Sequence, residues 1–272
     1  LNGTSEERDA EDNSTGTMMR SQKSSSDLDG LAALVTGAGR GLGAEIAGAL
    51  AQRGAKVYAL SRSASELDEV VTKIHDAGGQ ASALVCDVTD VDAFSAMVDR
   101  MDRLDVLVNN AGTNFPTEFV DVTLEQLDTM LTLNVRSMFT VAQSCARKMI
   151  ASSTGRGSII NMSSQMGHVG ATRRSVYCMT KHAIEGLTKA MALELAAYRI
   201  CVNTVAPTFV ETPMTKSFFE DARFHSWVME RLPMGRLLPA EDVAAAVCYL
   251  ASPAAAMVTG TSLRIDGGWT AQ

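Results

Sequence analysis

Tyr177 and Lys181 stand four residues apart in the stretch Ser175-Val176-Tyr177-Cys178-Met179-Thr180-Lys181. Residues i and i+4 share one face of a helix, so a helix here sets a phenol beside an ammonium. The ammonium favours phenolate and should lower the phenol's pKa from its ordinary value of about 10. A tyrosine treated this way can give or take a proton near neutral pH. The same spacing on a surface helix can mean no more than two neighbours, so the pair gains weight from its company. That company is Thr36-Gly37-Ala38-Gly39-Arg40-Gly41-Leu42-Gly43, then Asn109-Asn110-Ala111-Gly112, then Asn134, then Ser163-Ser164.

Stepping along the chain finds the elements that must hold these residues. Val176, Met179, Ala183, Ile184, Leu187, Ala190 and Met191 recur near the 3.6 period and predict a helix that carries Tyr177 and Lys181. Leu31 to Thr36 is a short apolar run ending in glycines and reads as a buried parallel strand. The glycine loop then opens a helix predicted over 42–53. Gly37 permits a tight turn, and Gly41 and Gly43 let backbone and helix approach a pyrophosphate, whose charge suits a helix N-terminus. Further strands are predicted at 56–60, 81–86, 105–109, 157–162, 199–207 and 261–266, with helices between them. One long helix is expected over 124–150, with Asn134 inside it. A buried helix asparagine is unfavourable without a task, although a bond back to the preceding turn would be a local one. The pattern predicts an α/β fold: a single Rossmann-type doubly wound domain, a seven-stranded parallel sheet with helices on both faces.

In order and spacing these motifs resemble the classical short-chain dehydrogenase/reductase family, from about Leu31 to about Thr270. The resemblance implies hydride exchange between a nicotinamide dinucleotide and a secondary alcohol or ketone. It implies Tyr177 as the general acid/base, Lys181 as the group holding the ribose, and Asn134 as the residue that bends its helix and holds a relay water. Ser164, thirteen residues before Tyr177, matches the family's catalytic serine, with Ser163 as runner-up. It implies that Asp87 and Val88 border the adenine and that Asn110, Ala111 and Gly112 lie near the cofactor. Pro207, Val210 and Thr212 match positions around the nicotinamide and phosphate. Asp87 could also cap the helix expected near Val91.

Cofactor choice turns on the residues after the second strand. An acidic residue there would take the adenosine ribose hydroxyls. This chain has Ser61-Arg62-Ser63. Arg62 can meet a 2′-phosphate as a charged fork, and Arg40 in the glycine loop can reach the same place. In the family such a pair implies NADP(H), with NAD(H) as the alternative. Two positions depart from the family. Tyr198-Arg199 stands where a glycine usually ends the helix, and Pro207-Thr208 where Pro-Gly is usual. Residues 208–235 read as a substrate lid, with Met214, Phe218, Phe219, Phe224, Trp227, Val228 and Met229 on an apolar face. Gln165, Met166, His168, Val169 and Thr172 are expected on the substrate side. The resemblance also implies a homotetramer, with Gly267-Gly268-Trp269 near a subunit contact.

Composition bounds the rest. The 272 residues suit one large domain. A net charge of −7 gives no reason to expect nucleic acid or an anionic membrane as partner. Cys86, Cys145, Cys178, Cys201 and Cys248 show no metal spacing and read as free thiols of a cytoplasmic protein. No metal is expected. Residues 1–29 are polar and are expected to be a disordered tail before a domain over 30–272. Within the family, a 3-oxoacyl-carrier-protein reductase and a sugar or polyol dehydrogenase are both open. The former wants a basic docking patch, for which Arg136, Arg147, Lys148, Arg173 and Arg174 are available. A non-catalytic dinucleotide-binding regulator is the alternative from another class, and such a protein would tolerate loss of Tyr177 or Lys181.

Overall fold

Short apolar runs bounded by glycines and polar turns become strands. They are β1 (Ala32–Thr36), β2 (Lys56–Ser61), β3 (Gln80–Val85), β4 (Val106–Asn109), β5 (Gly157–Met162), β6 (Ile200–Pro207), β7 (Val210–Glu211), β8 (Leu238–Pro239) and β9 (Ser262–Ile265). The longer amphipathic runs become α1 (Gly41–Gln52), α2 (Ala64–Asp76), α3 (Val91–Asp99), α4 (Leu124–Leu131), α5 (Ser137–Ser152), α6 (Ser175–Leu195), α7 (Ala222–Met229) and α8 (Ala240–Ala251). The structure is a computed structural model and describes residues 27–152, 155–211 and 217–271. Seven strands pair in the order β3-β2-β1-β4-β5-β6-β9, all parallel, and β7 and β8 form a separate small ribbon.

The period of two along each strand divides the core into two layers. Ala33, Val35, Val106, Val108 and Ile160 face Ile46, Leu50, Leu67, Val70 and Val247 of α1, α2 and α8. Leu34, Leu107 and Ile159 face Phe94, Val98, Val141 and Cys145 of α3 and α5. Each buried leucine or isoleucine contributes about 1.5–3 kcal/mol, so the sheet is held from both sides. Local signals start the helices. Ser63 accepts from Glu66 N at the head of α2. Thr123 and Gln126 form a reciprocal capping box on α4.

Three expectations change. The predicted helix over 124–150 is three pieces: α4, a π-helical turn at Thr132–Arg136, and α5. Asp87 does not cap α3; Asp90 does, accepting from Ala93 N at 3.0 Å. The domain also begins before residue 30. Leu28 is fully buried in the α1 layer, its N–H donates to Arg53 O, and Asp27 pairs with Arg53. A single leucine in a polar stretch has no periodicity to announce it. The rest of the expected tail, residues 1–26, lies outside the described residues, as do Thr212 and Met214 of the expected lid.

The turn from α6 to β6 explains one departure from the family pattern. Arg199 sits at φ 56°, in the left-handed region that glycine tolerates, and its side chain is exposed. A left-handed L-residue costs about 1–2 kcal/mol, and glycine's extra unfolded-state freedom offsets part of that. Arg199→Gly should therefore stabilise the chain by about 0.5–1 kcal/mol, raising Tm by roughly 1–4 °C. A scanning calorimetry trace with no rise would reject strain at this turn.

Candidate active site

The strand order reverses between β1 and β4, and open α/β sheets bind ligands at such switch points. A cleft of about 1280 Å³ runs there across the C-terminal ends of the strands. Following the sheet order, it begins with Asp87 and Val88 after β3 and Ser61 and Arg62 at β2. The loop containing Gly37, Gly39, Arg40, Gly41, Leu42 and Gly43 follows β1, and Asn110, Ala111 and Gly112 follow β4. Ser164 after β5, Tyr177 and Lys181 on α6, and Pro207, Thr208 and Val210 around β6 and β7 complete it. A smaller groove of about 560 Å³ between α1, α2 and α8 adjoins the cleft at Gly41, which lines both.

The glycine loop fits a dinucleotide. A Cβ on Gly43 would lie 2.2 Å from Gly37 O, so α1 must start this close to the loop and only glycine allows it. Gly41 sits at φ +55°, and open space lies where its side chain would be. No side chain caps the N-terminus of α1, so its first N–H groups are available to a phosphate. Thr36 and Asn110 brace the loop. Asn110 and Ala111 donate backbone N–H to Thr36 Oγ1, and Asn110 Nδ2 donates to Thr36 O at 2.9 Å. Asn109 Nδ2 donates to Met138 O at 2.8 Å, tying β4 to α5. Both asparagines are thereby structural clamps, as their pairing requirement predicts.

The two arginines stand at the edge of the cleft, each beside a carboxylate. Arg40 Nη1 lies 3.2 Å from Glu66 Oε1, and Arg62 Nη1 lies 3.7 Å from Asp87 Oδ2. Burial pushes the Asp87 carboxyl up, but hydrogen bonds from Thr89 and the Arg62 charge outweigh it and hold it below the usual range.

At the other end, Tyr177 is half-buried and hydrogen-bonded to Ser164. Lys181 is buried, its Nζ donates to Met162 O at 2.7 Å and lies 5.5 Å from the Tyr177 ring centroid. The expected lowering of the phenol's pKa is not what this arrangement produces. Burial pushes Tyr177 up to about 12, against smaller lowering effects from the Ser164 bond and the Arg174 charge. Burial also pulls Lys181 down to about 8, with the Glu185 charge opposing. Desolvation of each group outweighs the favourable contacts that it makes.

Asn134 is fully buried in the π-helical turn. It does not bond back to its own helix. Its Oδ1 accepts from Thr113 N at 2.8 Å, and its Nδ2 donates to Thr113 O at 2.8 Å and to Thr180 Oγ1 at 3.3 Å. The widened turn aims one amide at two separate segments, a common use of π-turns at functional sites. Of the two serines, Ser164 reaches Tyr177, whereas a Cβ on Gly167 would lie 2.7 Å from Ser163 Oγ, beneath the following 3-10 turn.

The substrate wall differs from expectation. Gln165 and Met166 line the cleft, but His168, Val169 and Thr172 do not. His168 Nε2 instead lies 2.9 Å from Ser262 Oγ and 3.3 Å from Glu185 Oε1. Phe209 is a residue that sequence reasoning missed. It packs edge-on against Phe219, Phe224 and Trp227 and tilted against Trp269, and both Phe209 and Phe224 line the cleft. Trp269 packs on Trp227. Asn114, Phe115 and Arg174 also line the cleft, and no motif marks them. Five buried side-chain polar atoms among the described residues have no partner. Four of them, Asn114 Oδ1, Ser163 Oγ, Gln165 Nε2 and Thr208 Oγ1, belong to residues lining this cleft. Among the described residues no cluster could hold a metal, no helix is long and apolar enough to cross a membrane, and all five cysteines are free.

Comparison with known proteins agrees with this geometry. The family model described as "Enoyl-(Acyl carrier protein) reductase", within the short-chain dehydrogenases, matches residues 37–270. L-xylulose reductase of Bos taurus is 39% identical over 244 residues, covering 90% of this chain and 98% of the relative. D-erythrulose reductase of Gallus gallus is 39% identical, covering 88% and 96%. A gluconate 5-dehydrogenase from Burkholderia cenocepacia, solved with NADP and tartrate, superposes with a TM-score of 0.87 at 34% identity, covering 92% and 98%. With the switch-point cleft, the glycine loop and the Ser164–Tyr177–Lys181 grouping in place, the chain belongs to the short-chain dehydrogenase/reductase family, as an NAD(P)-dependent oxidoreductase that interconverts secondary alcohols and ketones.

Proposed function

We propose that this protein is an NADP(H)-preferring reductase of small polyhydroxylated ketones, running also as the matching polyol dehydrogenase. The observation that carries the substrate class is the set of unpartnered buried polar atoms on Asn114, Ser163, Gln165 and Thr208, all on the cleft wall. Buried polar groups demand hydrogen-bond partners, and a ligand rich in hydroxyls supplies them where an aliphatic ketone cannot. The names of the sugar-reducing relatives point the same way. The carrier-protein reading fits less well, because Arg173 is paired with Glu118 and Lys148 bonds to Asp99 O.

When bound, the nicotinamide dinucleotide supplies or accepts the hydride. Gly37, Gly39, Gly41, Leu42 and Gly43 would hold its pyrophosphate, Ser61, Arg62 and Arg40 the ribose phosphate, and Asp87 and Val88 the adenine. Asn110, Ala111, Gly112, Pro207 and Val210 would complete its site among the described residues. Ser164 holds the substrate oxygen and orients the phenol. Tyr177, kept protonated by burial, donates its proton to that oxygen in reduction and takes it back in oxidation. Lys181 steadies the phenolate that forms and holds the ribose, and Asn134 organises the path by which Lys181 is reprotonated. The aromatic face of the lid keeps water from the reacting carbonyl. We place the protein in the cytoplasm as a homotetramer.

The test is turnover of ketopentoses, ketohexoses, diketones, a 3-oxoacyl thioester and a bulky cyclic ketone, with NADPH and NADH in parallel. Ketoses should lead with NADPH. A lead for the thioester or the cyclic ketone would overturn the polyhydroxy-ketone reading.

A further inference from the structure

Arg173 and Arg174 are adjacent in sequence and are directed to different places. Arg173 adopts φ 60°, left-handed backbone that a non-glycine residue rarely holds and that clusters at functional sites. Its side chain goes to the outer loop, with Nε 3.4 Å from Glu118 Oε1, and its carbonyl accepts from Thr117 N at 3.1 Å. The strained turn thus pins the 116–118 loop and sends Arg174 into the cleft, at the head of the helix that carries Tyr177.

Arg174 has no anionic partner there. Among the described residues its guanidinium donates one hydrogen bond, to the Arg173 carbonyl, and no carboxylate pairs with it. Glu66 and Asp87 are engaged with Arg40 and Arg62 across the sheet, and Asp128 of α4, which lines the cleft, is exposed. The Arg174 charge is close enough to the Tyr177 phenol for each to shift the other. The neighbouring wall offers a second donor without an acceptor: Gln165 is 1% exposed and its Nε2 has no partner. A guanidinium and an amide NH₂ only donate. What they lack is an acceptor with several lone pairs, and a carboxylate meets a guanidinium in a matched fork.

The geometry points to Arg174 as the reader of a substrate carboxylate, so that the preferred substrate is an acidic polyhydroxy ketone and its partner the corresponding polyhydroxy acid. The inference rests on the ketone-reductase reading above and narrows it. The chemistry is unchanged: hydride goes to the carbonyl carbon, the Tyr177 proton goes to its oxygen, and the carboxylate keeps its charge throughout. Arg174 supplies binding and orientation remote from the reacting bond.

The experiment compares 5-ketogluconate with the uncharged ketohexose sorbose, using NADPH, in wild type, Arg174→Gln and Arg174→Lys. Wild type should favour the acid in kcat/KM by tenfold or more. Arg174→Gln should lower that acid-to-neutral ratio at least tenfold, through KM for the acid more than through kcat. Arg174→Lys should retain a larger part of the ratio. In wild type alone, tartrate should compete with the ketone and its uncharged analogue threitol should not. An equal preference in wild type, an unchanged ratio in Arg174→Gln, or equal inhibition by tartrate and threitol overturns the inference. Sorbose turnover in any of those cases leaves the ketone-reductase reading standing. Absence of turnover for both ketones with both cofactors overturns that reading itself.

Discussion

Tyr177→Phe is expected to lower kcat for ketone reduction by about 10³-fold while NADPH binding, read by fluorescence titration, stays within a few-fold of wild type. General acid catalysis is worth about 10²–10⁴-fold. The upper half of that range applies because the alternative donor is poor: Ser164 is a hydroxyl already bonded to the phenol. The ring itself is kept in the variant, so packing is nearly conserved. A variant that retains a tenth of wild-type kcat would show that the phenol is not the proton donor. The same grouping sets the pH dependence. Burial pushes Tyr177 up to about 12, so the phenol remains a donor across the working range. Lys181 is the group that titrates, because burial pulls it down to about 8. Its ammonium is the form that steadies the developing phenolate. The pKa is depressed, so the ammonium is fully present below pH 8 and is lost as pH rises through it. The kcat/KM for reduction, which reports the enzyme before substrate binds, should be level below pH 8 and fall above it. Lys181→Met should lose that limb. A wild-type profile level to pH 10 would reject Lys181 as the titrating group.

Replacing both Arg40 and Arg62 by alanine should lower the ratio of kcat/KM for NADPH over NADH by about 100-fold. A hydrogen bond to a charged group contributes about 1.5–3 kcal/mol. The lower figure applies, since both side chains are largely exposed, at 70% and 78%, and salt screens them. Two such contacts at about 1.5 kcal/mol each give roughly 100-fold. Each arginine lies beside a carboxylate in the free chain, Glu66 for Arg40 and Asp87 for Arg62. A 2′-phosphate must compete with those carboxylates, so the preference should be graded and should weaken as salt is raised. An unchanged ratio in the double variant would mean that neither arginine reads the phosphate.

The sheet was legible because its causes are local. Each strand is a short apolar run, and the observed limits at β1, β2, β5 and α1 fall within a residue of those expected. The glycine loop was legible for the same reason, since Gly43 is demanded by contact with a residue six positions away. The i, i+4 rule placed Tyr177 and Lys181 on one helix, and both line the cleft. The motif at Asn134 was also readable, but not the π-turn around it. That turn exists because the amide is bonded to Thr113 and Thr180, 21 and 46 residues away.

What tertiary structure alone decided has one common physical reason: it depends on what surrounds a group and not on what precedes it in the chain. Burial, invisible in the Tyr177–Lys181 spacing, reversed the expected direction of the phenol's pKa. His168 reads as a loop residue facing substrate until Glu185 and Ser262 are seen to hold it elsewhere. Leu28 joins the core through tertiary neighbours, with its N–H on Arg53 O at the end of α1. Phe209, Phe224 and Trp269 come from three separate stretches and meet at one wall. By itself the sequence determined the parallel α/β architecture, the tight glycine loop after β1 and the placing of Tyr177 and Lys181 together on one helix, all products of short-range pattern. The pKa values and the makeup of the substrate wall were left to the fold, because desolvation and hydrogen-bond completion are properties of three-dimensional neighbours.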